Sequence, residues 1–207
     1  RKLICASNKN RVLTDFFETG VYDRKREFYT TISPSMDILV SSNLERLLYM
    51  LAGEEKVKLW MEQLKTTGKY DVGPNVLAKL RADFDCGCAD DDEAKAAISG
   101  LYKEKDYLMD THTADAFAVL EKRRAAGERF PTVVVSTASP FKFCDAVLSA
   151  LGEQDAVSGA ALIDRLTEKT GRSAPKPLTG LGSRPVRFTG STKKEQLPEV
   201  VMDFLRK

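Results

Sequence analysis

The sequence predicts an α/β fold that is rich in helix, with a short, mostly parallel sheet flanked by helices. Residues 131–137 give the clearest signal, because an unbroken β-branched run between helical stretches is typical of an interior strand of a parallel sheet. Residues 3–6 and 84–88 are shorter apolar runs that also have the length of strands. Apolar residues at helical spacing fill most of the remaining sequence.

The predicted helices begin and end at residues that favour helix termini. Gly20 marks the end of helical spacing over residues 12–17. Ser41 and the two polar residues after it form a strong start for a helix over residues 44–51. Residues 54–80 are a charged helical stretch that glycines divide. Further helices are predicted from about 89 to 102, at 113–124, at 143–151, around Ile163 and at 197–205, with a short strand at 186–188.

Composition is that of an ordinary globular protein. Of 207 residues, 43% are apolar and 30% are charged, and the net charge is +2 with both signs mixed along the helices. We therefore expect no nucleic-acid partner. No apolar run approaches the roughly 20 residues of a membrane-spanning helix, so no membrane partner is expected either. The chain lacks an initiator Met and opens directly on a strand, which suggests part of a longer gene product.

The four cysteines are interpreted as reduced thiols used as small apolar residues. Cys86 and Cys88 are separated by one residue, a spacing too tight for an ordinary disulfide. A zinc site would need a second pair of ligands, and the sequence has a single histidine. These observations predict a cytoplasmic protein without a metal site.

Two polar segments have both a functional and a structural interpretation. Asn8 and Asn10 follow the first strand, where they are either part of a ligand site or an ordinary turn. Asp110, His112 and Thr113 open a helix, where they are either site residues or a cap with a surface histidine. Local sequence leaves both choices open.

A third polar segment contains Ser136, Thr137 and Ser139, at the exit of the predicted strand over residues 131–137. Buried hydroxyls are costly unless they are hydrogen-bonded, so a site and a cap are both open here. A strand, a polar turn and a helix form the unit at which open α/β sheets place ligands. The glycines at 180–183 do not make a phosphate loop, because no strand leads into them and a proline follows.

Four ordered blocks of residues carry a family resemblance. The blocks are Ala6-Ser7-Asn8 with Asn10; residues 31–38 with 42–47; Asp110 with His112-Thr113-Ala114; and residues 136–140 with Lys142-Phe143. In that order they resemble the threonine synthases of bacteria and fungi, and the likeness extends from the first residue to about Leu151. Thr111 departs from the pattern, since the family usually has Pro there, but the flanking Asp and His remain.

The resemblance implies both an activity and a fold. Threonine synthases convert O-phospho-L-homoserine and water to L-threonine and phosphate, and they use pyridoxal phosphate. Their fold is that of the tryptophan synthase β subunit, in which two α/β domains enclose the cofactor. The resemblance thus makes this chain the C-terminal part of such an enzyme and the rest of the same polypeptide its partner.

The family's Schiff-base lysine and its glycine-rich phosphate loop are expected upstream of this chain, so no catalytic residue is assigned within it. We expect the chain alone to be inactive and not to hold the cofactor covalently. Residues 1–151 are predicted to be the C-terminal part of the large domain, with a helical insertion at about 54–82. Residues 152–207 are predicted to be a C-terminal helical tail.

The resemblance also suggests roles for individual residues. The counterpart of Thr137 faces the pyridine nitrogen of the cofactor, and Ser136 and Ser139 are secondary candidates for cofactor binding. Asp110, His112 and Thr113 are expected to line the same cleft, together with Asn8 and Asn10. Met36, Asp37 and Asn43 match family motifs without an assigned role.

Two alternatives remain at this point. One is another pyridoxal-phosphate lyase of the same fold that acts on a different amino acid. The other is a non-catalytic α/β interaction module descended from the enzyme. The abrupt start on a strand argues against the module, because a free-standing domain should protect its sheet edge.

Overall fold

The computed structural model describes residues 2–153 and 157–206, and it places a two-stranded parallel sheet at the start of the fold. Strand β1 (Leu3–Ser7) pairs with strand β4 (Phe84–Cys88) in a register that runs from Leu3 opposite Phe84 to Ser7 opposite Cys88. The predictions of strands at 3–6 and 84–88 are therefore confirmed, and so is the helix-rich α/β class with a short parallel sheet.

A second, antiparallel pair was not predicted. Strand β2 (Val21–Asp23) pairs with strand β3 (Lys69–Asp71), and the two tyrosines at their centres stack with ring centroids 5.3 Å apart. Strands of three residues are too short for a period of two to be recognised in the sequence.

Helices make up most of the described chain, and their bounds agree with the predicted stretches to within a few residues. They are α1 (Val12–Thr19), α2 (Ser42–Ala52), α3 (Glu54–Thr66), α4 (Gly73–Asp83), α5 (Asp91–Lys105), α6 (Thr111–Ala125), α7 (Cys144–Ala150), α8 (Ala161–Thr170) and α9 (Leu197–Leu205). Short 3-10 turns lie at Pro34–Met36, Pro140–Lys142, Leu181–Ser183 and Lys194–Gln196. Among the helices of these described ranges, none combines the length and the apolar character that crossing a bilayer requires.

The apolar residues form two clusters. The first cluster contains residues of the four helices α1, α2, α3 and α4 and of the β2–β3 pair. Its most buried members include Phe16, Tyr22, Leu48 and Leu80. The second joins α5, α6, α7 and α8, and its most buried members are Ala94, Ile98, Ala114, Val147 and Leu166. The site described below lies on the elements that connect these clusters.

The prediction of an interior strand at residues 131–137 is wrong. Val133 is 88% exposed and Val135 is 71% exposed, whereas Val134 is partly buried. Within the described residues, the backbone of this run forms no ladder with any strand. A β-branched run becomes a strand only where another strand offers it hydrogen bonds, and β1 and β4 pair with each other instead.

The predicted strand at 186–188 is also absent from the described chain, where Val186 and Phe188 are exposed. Helix α9 is confirmed within its predicted bounds. Its apolar residues are nevertheless exposed, Leu197 and Phe204 among them, so its amphipathic pattern is not used for packing in this structure.

Gly87 is required by the packing of helix α6 on the parallel sheet. A Cβ atom at this position would lie 2.6 Å from Cγ1 of Val119, which is a buried residue of α6. Real Cβ contacts are not that short, so a side chain at position 87 must displace the helix or the valine.

We expect Gly87→Ala to lower the free energy of unfolding by about 1–3 kcal/mol, because it overpacks this contact. Thermal and urea unfolding followed by circular dichroism measures the change. Gly100→Ala is the matched control, since a Cβ there meets no atom within 4 Å and the glycine lies inside α5. The control should be stabilising by about 0.5–1 kcal/mol. An equal change in the free energy of unfolding for the two variants would contradict the close approach of Gly87 to Val119.

Candidate functional site

Asn8, directly after β1, attaches the segment 29–37 to the end of the parallel sheet. Its side chain is buried, and its Nδ2 lies 2.7 Å from Oδ1 of Asp37 and 2.8 Å from Oγ1 of Thr31. Its Oδ1 accepts the backbone N–H of Asn10 at 2.9 Å. A backbone N–H can only donate, so this bond fixes the orientation of the amide with Nδ2 toward Asp37.

Asn10 holds the beginning of the same segment. Its Oδ1 accepts the backbone N–H of Tyr29 at 2.9 Å, and its Nδ2 donates to the carbonyl of Tyr29 at 2.8 Å. The Nδ2 atom also lies 3.0 Å from Oδ1 of Asp37. Both asparagines are therefore saturated by protein groups and act as anchors of the segment.

Asp37 is the shared acceptor of this network, a role that sequence reasoning did not assign. Its Oδ1 receives the hydroxyl of Thr31 at 2.7 Å in addition to the two asparagine amides, and its Oδ2 receives the backbone N–H of Thr31 at 3.0 Å. A carboxylate that accepts several hydrogen bonds is strongly held in place. Residues 29–37 are thereby folded around one charge.

Asp110 caps helix α6, which was one of the two interpretations that the sequence left open. The carboxylate is fully buried, and its Oδ1 accepts the backbone N–H groups of His112 at 2.9 Å and Thr113 at 3.3 Å. Its Oδ2 accepts the hydroxyl of Thr113. A negative charge at a helix N-terminus is favoured by the unpaired N–H groups there.

His112 connects helix α6 to the segment 29–37. Its Nε2 accepts the backbone N–H of Ser35 at 3.1 Å, so the neutral tautomer carries its proton on Nδ1, which lies 3.4 Å from Oδ1 of Asp110. The ring packs on Phe143 with centroids 4.7 Å apart. The histidine side chain is only 8% exposed, so the alternative of a surface histidine is wrong.

Thr113 and Ser136 form a chain of hydroxyls that begins at Asp110. The oxygens of Thr113 and Ser136 are 3.2 Å apart. A hydroxyl has one proton, and Thr113 gives its proton to the carboxylate, which can only accept. The same hydroxyl is also the donor toward Ser136, so its one proton is shared between the Asp110 carboxylate and the Ser136 oxygen.

Thr137 and Ser139 are placed differently from each other. Thr137 is exposed, and its hydroxyl makes no hydrogen bond to any part of the chain that the structure describes. Ser139 accepts the backbone N–H of Phe141 at 3.3 Å and caps the turn Pro140–Lys142. Thr137 is therefore available to a ligand, whereas Ser139 is occupied by a structural bond.

Asp115 is a feature of the site that sequence reasoning missed. It is 1% exposed, and its Oδ2 has no hydrogen-bond partner among the described residues. Burial raises the pKa of this carboxyl to about 7, the Ser33 hydroxyl opposes the shift, and the nearby carboxylates of Asp91, Asp37 and Asp110 increase it. The available signal was an acid within a stripe of small and apolar residues on one face of α6.

The acidic residues do not form a metal site. Within residues 2–153 and 157–206, no group of three or more His, Cys, Asp or Glu side chains is arranged to hold an ion. Asp91 instead accepts the backbone N–H of Ile32 at 3.2 Å, which attaches the segment 29–37 to the start of α5. The structure thus links all four sequence blocks, through the contacts of Asn8 with Asp37, of Ser35 with His112 and of Thr113 with Ser136.

Comparisons with known proteins agree with this arrangement. The family model described as "Threonine synthase, C-terminal" matches residues 113–202. The chain is 43% identical over 155 residues to threonine synthase-like 1 of Macaca fascicularis, a match that covers 73% of this chain and 20% of that protein.

Two solved structures share the fold. The pyridoxal-phosphate-bound threonine synthase of Brucella melitensis is 32% identical with a TM-score of 0.80, and the match covers 100% of this chain and 41% of that one. Yeast threonine synthase is 31% identical with a TM-score of 0.83, and the match covers 99% of this chain and 42% of that one. The chain therefore spans about a fifth of the first relative and about two fifths of the solved enzymes.

The fold is that of the solved threonine synthases, a helix-rich α/β fold with a short parallel sheet, and the Brucella melitensis enzyme of this fold binds pyridoxal phosphate. More narrowly, the chain belongs to the threonine synthase family and corresponds to the C-terminal region of its members. The expectations of family and fold class are both confirmed.

We expect Asp115→Asn to remove a pH dependence of stability. The folded-state pKa of this carboxyl is raised from its ordinary value to about 7, so the folded chain binds the proton more tightly than the unfolded chain does. The contribution of this carboxyl to the free energy of unfolding is fully present below about pH 4. It then decreases by about 1.4 kcal/mol per pH unit until the pH reaches about 7, above which it is lost.

Urea unfolding at several pH values checks this expectation. The neutral amide should become progressively more stable than wild type between about pH 4 and pH 7, and the advantage should level off above that range. Glu121→Gln, at an exposed position on the same helix, is the control. A constant difference between Asp115→Asn and wild type across the range would show that the carboxyl is already charged when folded.

Proposed function

We propose that this chain forms one wall of the active site of a threonine synthase, which as a complete protein converts O-phospho-L-homoserine and water to L-threonine and phosphate. The observation that carries the proposal is the joining of Asn8, His112 and Ser136 through hydrogen bonds at the end of the parallel sheet. The remainder of the enzyme polypeptide would supply the opposite wall. The proposal places the enzyme in the cytoplasm.

The hydroxyl pair at residues 136–137 fits pyridoxal phosphate. The cofactor contains a pyridine nitrogen that accepts a hydrogen bond, and Thr137 has an exposed hydroxyl that is free to donate one. The neighbouring Ser136 hydroxyl is also exposed, and its oxygen accepts from Thr113 at 3.2 Å. When bound, the cofactor supplies an electron sink for carbanion chemistry.

Within this proposal, Thr137 binds the ring nitrogen with a neutral group. A hydroxyl, unlike a carboxylate, does not hold that nitrogen protonated, and the electron-withdrawing power of the ring is then moderate. The buried carboxylate of Asp110 orients Ser136 through Thr113. Asn8, Asn10 and residues 29–37 form the side of the cleft, and Ser139 positions the turn that follows Thr137.

A second candidate is a related lyase of the same fold with a different substrate. The identity of 43% to threonine synthase-like 1 of Macaca fascicularis favours it, compared with 36% to the threonine synthase of Saccharomyces cerevisiae. Substrate-binding residues outside this chain would determine whether the substrate is O-phospho-L-homoserine or another amino acid. Threonine formation from O-phospho-L-homoserine by the complete enzyme separates the two candidates.

The role of Thr137 is tested by three substitutions in the complete enzyme. Thr137→Ala should leave the fold intact, because little apolar area changes, and should weaken cofactor binding by about 1 kcal/mol through loss of one hydrogen bond. Turnover should fall more than binding does. Thr137→Ser should retain most activity, because it keeps the hydroxyl. Thr137→Asp should hold the ring nitrogen protonated and so shift the absorbance of the bound cofactor.

Steady-state turnover, cofactor titration and absorbance spectra of these variants are the measurements. Thr179→Ala is the matched control, since Thr179 is exposed and its hydroxyl donates to the backbone carbonyls of Ala174 and Pro175. Wild-type turnover in Thr137→Ala would mean that the hydroxyl serves the protein structure and that the cofactor lies elsewhere.

The chain alone should not attach pyridoxal phosphate covalently, because its lysines lack the family context of the cofactor-binding lysine. Incubation with the cofactor, borohydride reduction and peptide mass spectrometry would detect attachment. Bovine serum albumin serves as a control for random modification of surface lysines. Stoichiometric labelling of a single lysine of this chain would contradict the expectation.

A further inference from the structure

Asp115 is a buried carboxyl group that the hydrogen-bond network of the site leaves incompletely bonded. It lies near the start of α6, it is 1% exposed, and its Oδ2 has no hydrogen-bond partner in the described chain. An unpaired charge in such a place is costly, because water does not reach it. The fold therefore favours the neutral, protonated form of this group.

The charged groups that face Asp115 are carboxylates from three directions. Asp37 faces it from the segment 29–37, Asp91 from the start of α5, and Asp110 from the cap of α6. The basic residues of α6 lie in its last turn instead, and two of them are paired with acids of α5 and β4. Burial first, and then the three carboxylates, raise the pKa of Asp115 to about 7.

Ser33 joins this carboxyl to the segment 29–37. The serine is fully buried, and its hydroxyl stabilises the charged form of the Asp115 carboxyl, so the two groups lie against each other. The oxygen of Ser33 also accepts Nδ2 of Asn8 at 3.1 Å, from the amide that anchors the segment. Ser33 thus covers Asp115 as a part of the segment, and water reaches the carboxyl when the segment opens.

Ionisation of Asp115 acts on the bonds that hold the segment. Asp37 accepts the backbone N–H of Thr31 at 3.0 Å, and Asp91 accepts that of Ile32 at 3.2 Å. Both acceptors are carboxylates, which a negative charge at position 115 repels. The carboxylates that bond to the segment therefore stay close to α6 most easily while Asp115 is neutral.

We propose that Asp115 is a positioning residue, which in its protonated form holds the segment 29–37 against α6 and gives up its proton to solvent when the segment opens. The inference rests on the proposed function only in taking the segment as the side of a ligand cleft. Closing the segment over a ligand takes up a proton between about pH 4 and pH 7, so ligand affinity falls as pH rises through that range.

Hydrogen exchange in the chain tests the proton coupling. The amides of Thr31 and Ile32 report opening of the segment, and their protection, corrected for the intrinsic exchange rate, is measured from about pH 5 to about pH 8.5. Ser35 is excluded, since the acceptor of its N–H is the titratable ring of His112. Protection should fall about tenfold per pH unit up to about pH 7 and then level off, because the open state has already lost the proton there.

A neutral substitution isolates the carboxyl. Asp115→Asn should remove the pH dependence of protection, since the amide is neutral in the closed and the open state. Asp92→Asn is the matched control, because it removes an exposed carboxylate from the first turn of α5 and should keep the wild-type dependence. If Asp115→Asn does not fold, the Cγ chemical shift of Asp115 in the wild-type chain supplies the test, with an expected midpoint at about pH 7.

Three results would overturn the proposal. They are a Cγ midpoint below about pH 5, protection at Thr31 and Ile32 that does not vary with pH, and a pH dependence that persists in Asp115→Asn. A purely structural role is recognised separately, since it confines the pH dependence to amides that exchange through global unfolding, which low concentrations of urea accelerate.

The exchange experiment needs no substrate, so its outcome is separate from that of the proposed function. A complete enzyme that forms no threonine from O-phospho-L-homoserine would reject the function and leave the proton coupling standing. Exchange without coupling, beside an active complete enzyme, would reject the role of Asp115 and leave the function.

Discussion

The hydrogen-bond network between Asn8 and Asp37 is the interaction on which the rest of the site depends. It folds residues 29–37 around one carboxylate and fixes them to the end of β1. Once folded, this segment presents the backbone N–H of Ile32 to Asp91 and that of Ser35 to His112. The starts of two helices are thereby tied to the sheet through a segment that the buried Asn8 amide holds, and the hydrogen bonds of a buried amide are costly to leave unmade.

A second chain of polar groups extends from this network toward the exposed residues Ser136 and Thr137. Asp110 caps α6 and accepts the hydroxyl of Thr113, which also donates to the oxygen of Ser136 at 3.2 Å. Asp115 lies one helical turn further on, buried and incompletely bonded. Such unsatisfied buried groups are rare in stable cores, and they occur most often where a structure is organised for function.

The sequence predicted those elements whose signals are local. Gly20 as a helix stop and Ser41 as part of a helix start are confirmed, and Asp110 takes the cap position that was one of its two interpretations, since each acts within one helical turn. The prediction of an interior strand at residues 131–137 was wrong because strand formation depends on a partner distant in sequence, and β1 and β4 pair with each other instead. The role of Asp37 could not be predicted either, because it depends on contacts with Asn8 across 29 residues.

The central claim is that Asn8 controls the position of the whole segment 29–37, and hydrogen exchange at the Ser35 amide tests it most directly. Among the described residues, Ser35 forms no hydrogen bond with Asn8, and its N–H is bonded to His112. Asn8→Ala should speed its exchange roughly tenfold or more, which corresponds to about 1.4 kcal/mol of lost local stability. Asn43→Ala, an exposed residue bonded to Arg46, should leave it unchanged. Unchanged exchange at Ser35 in Asn8→Ala would contradict the claim.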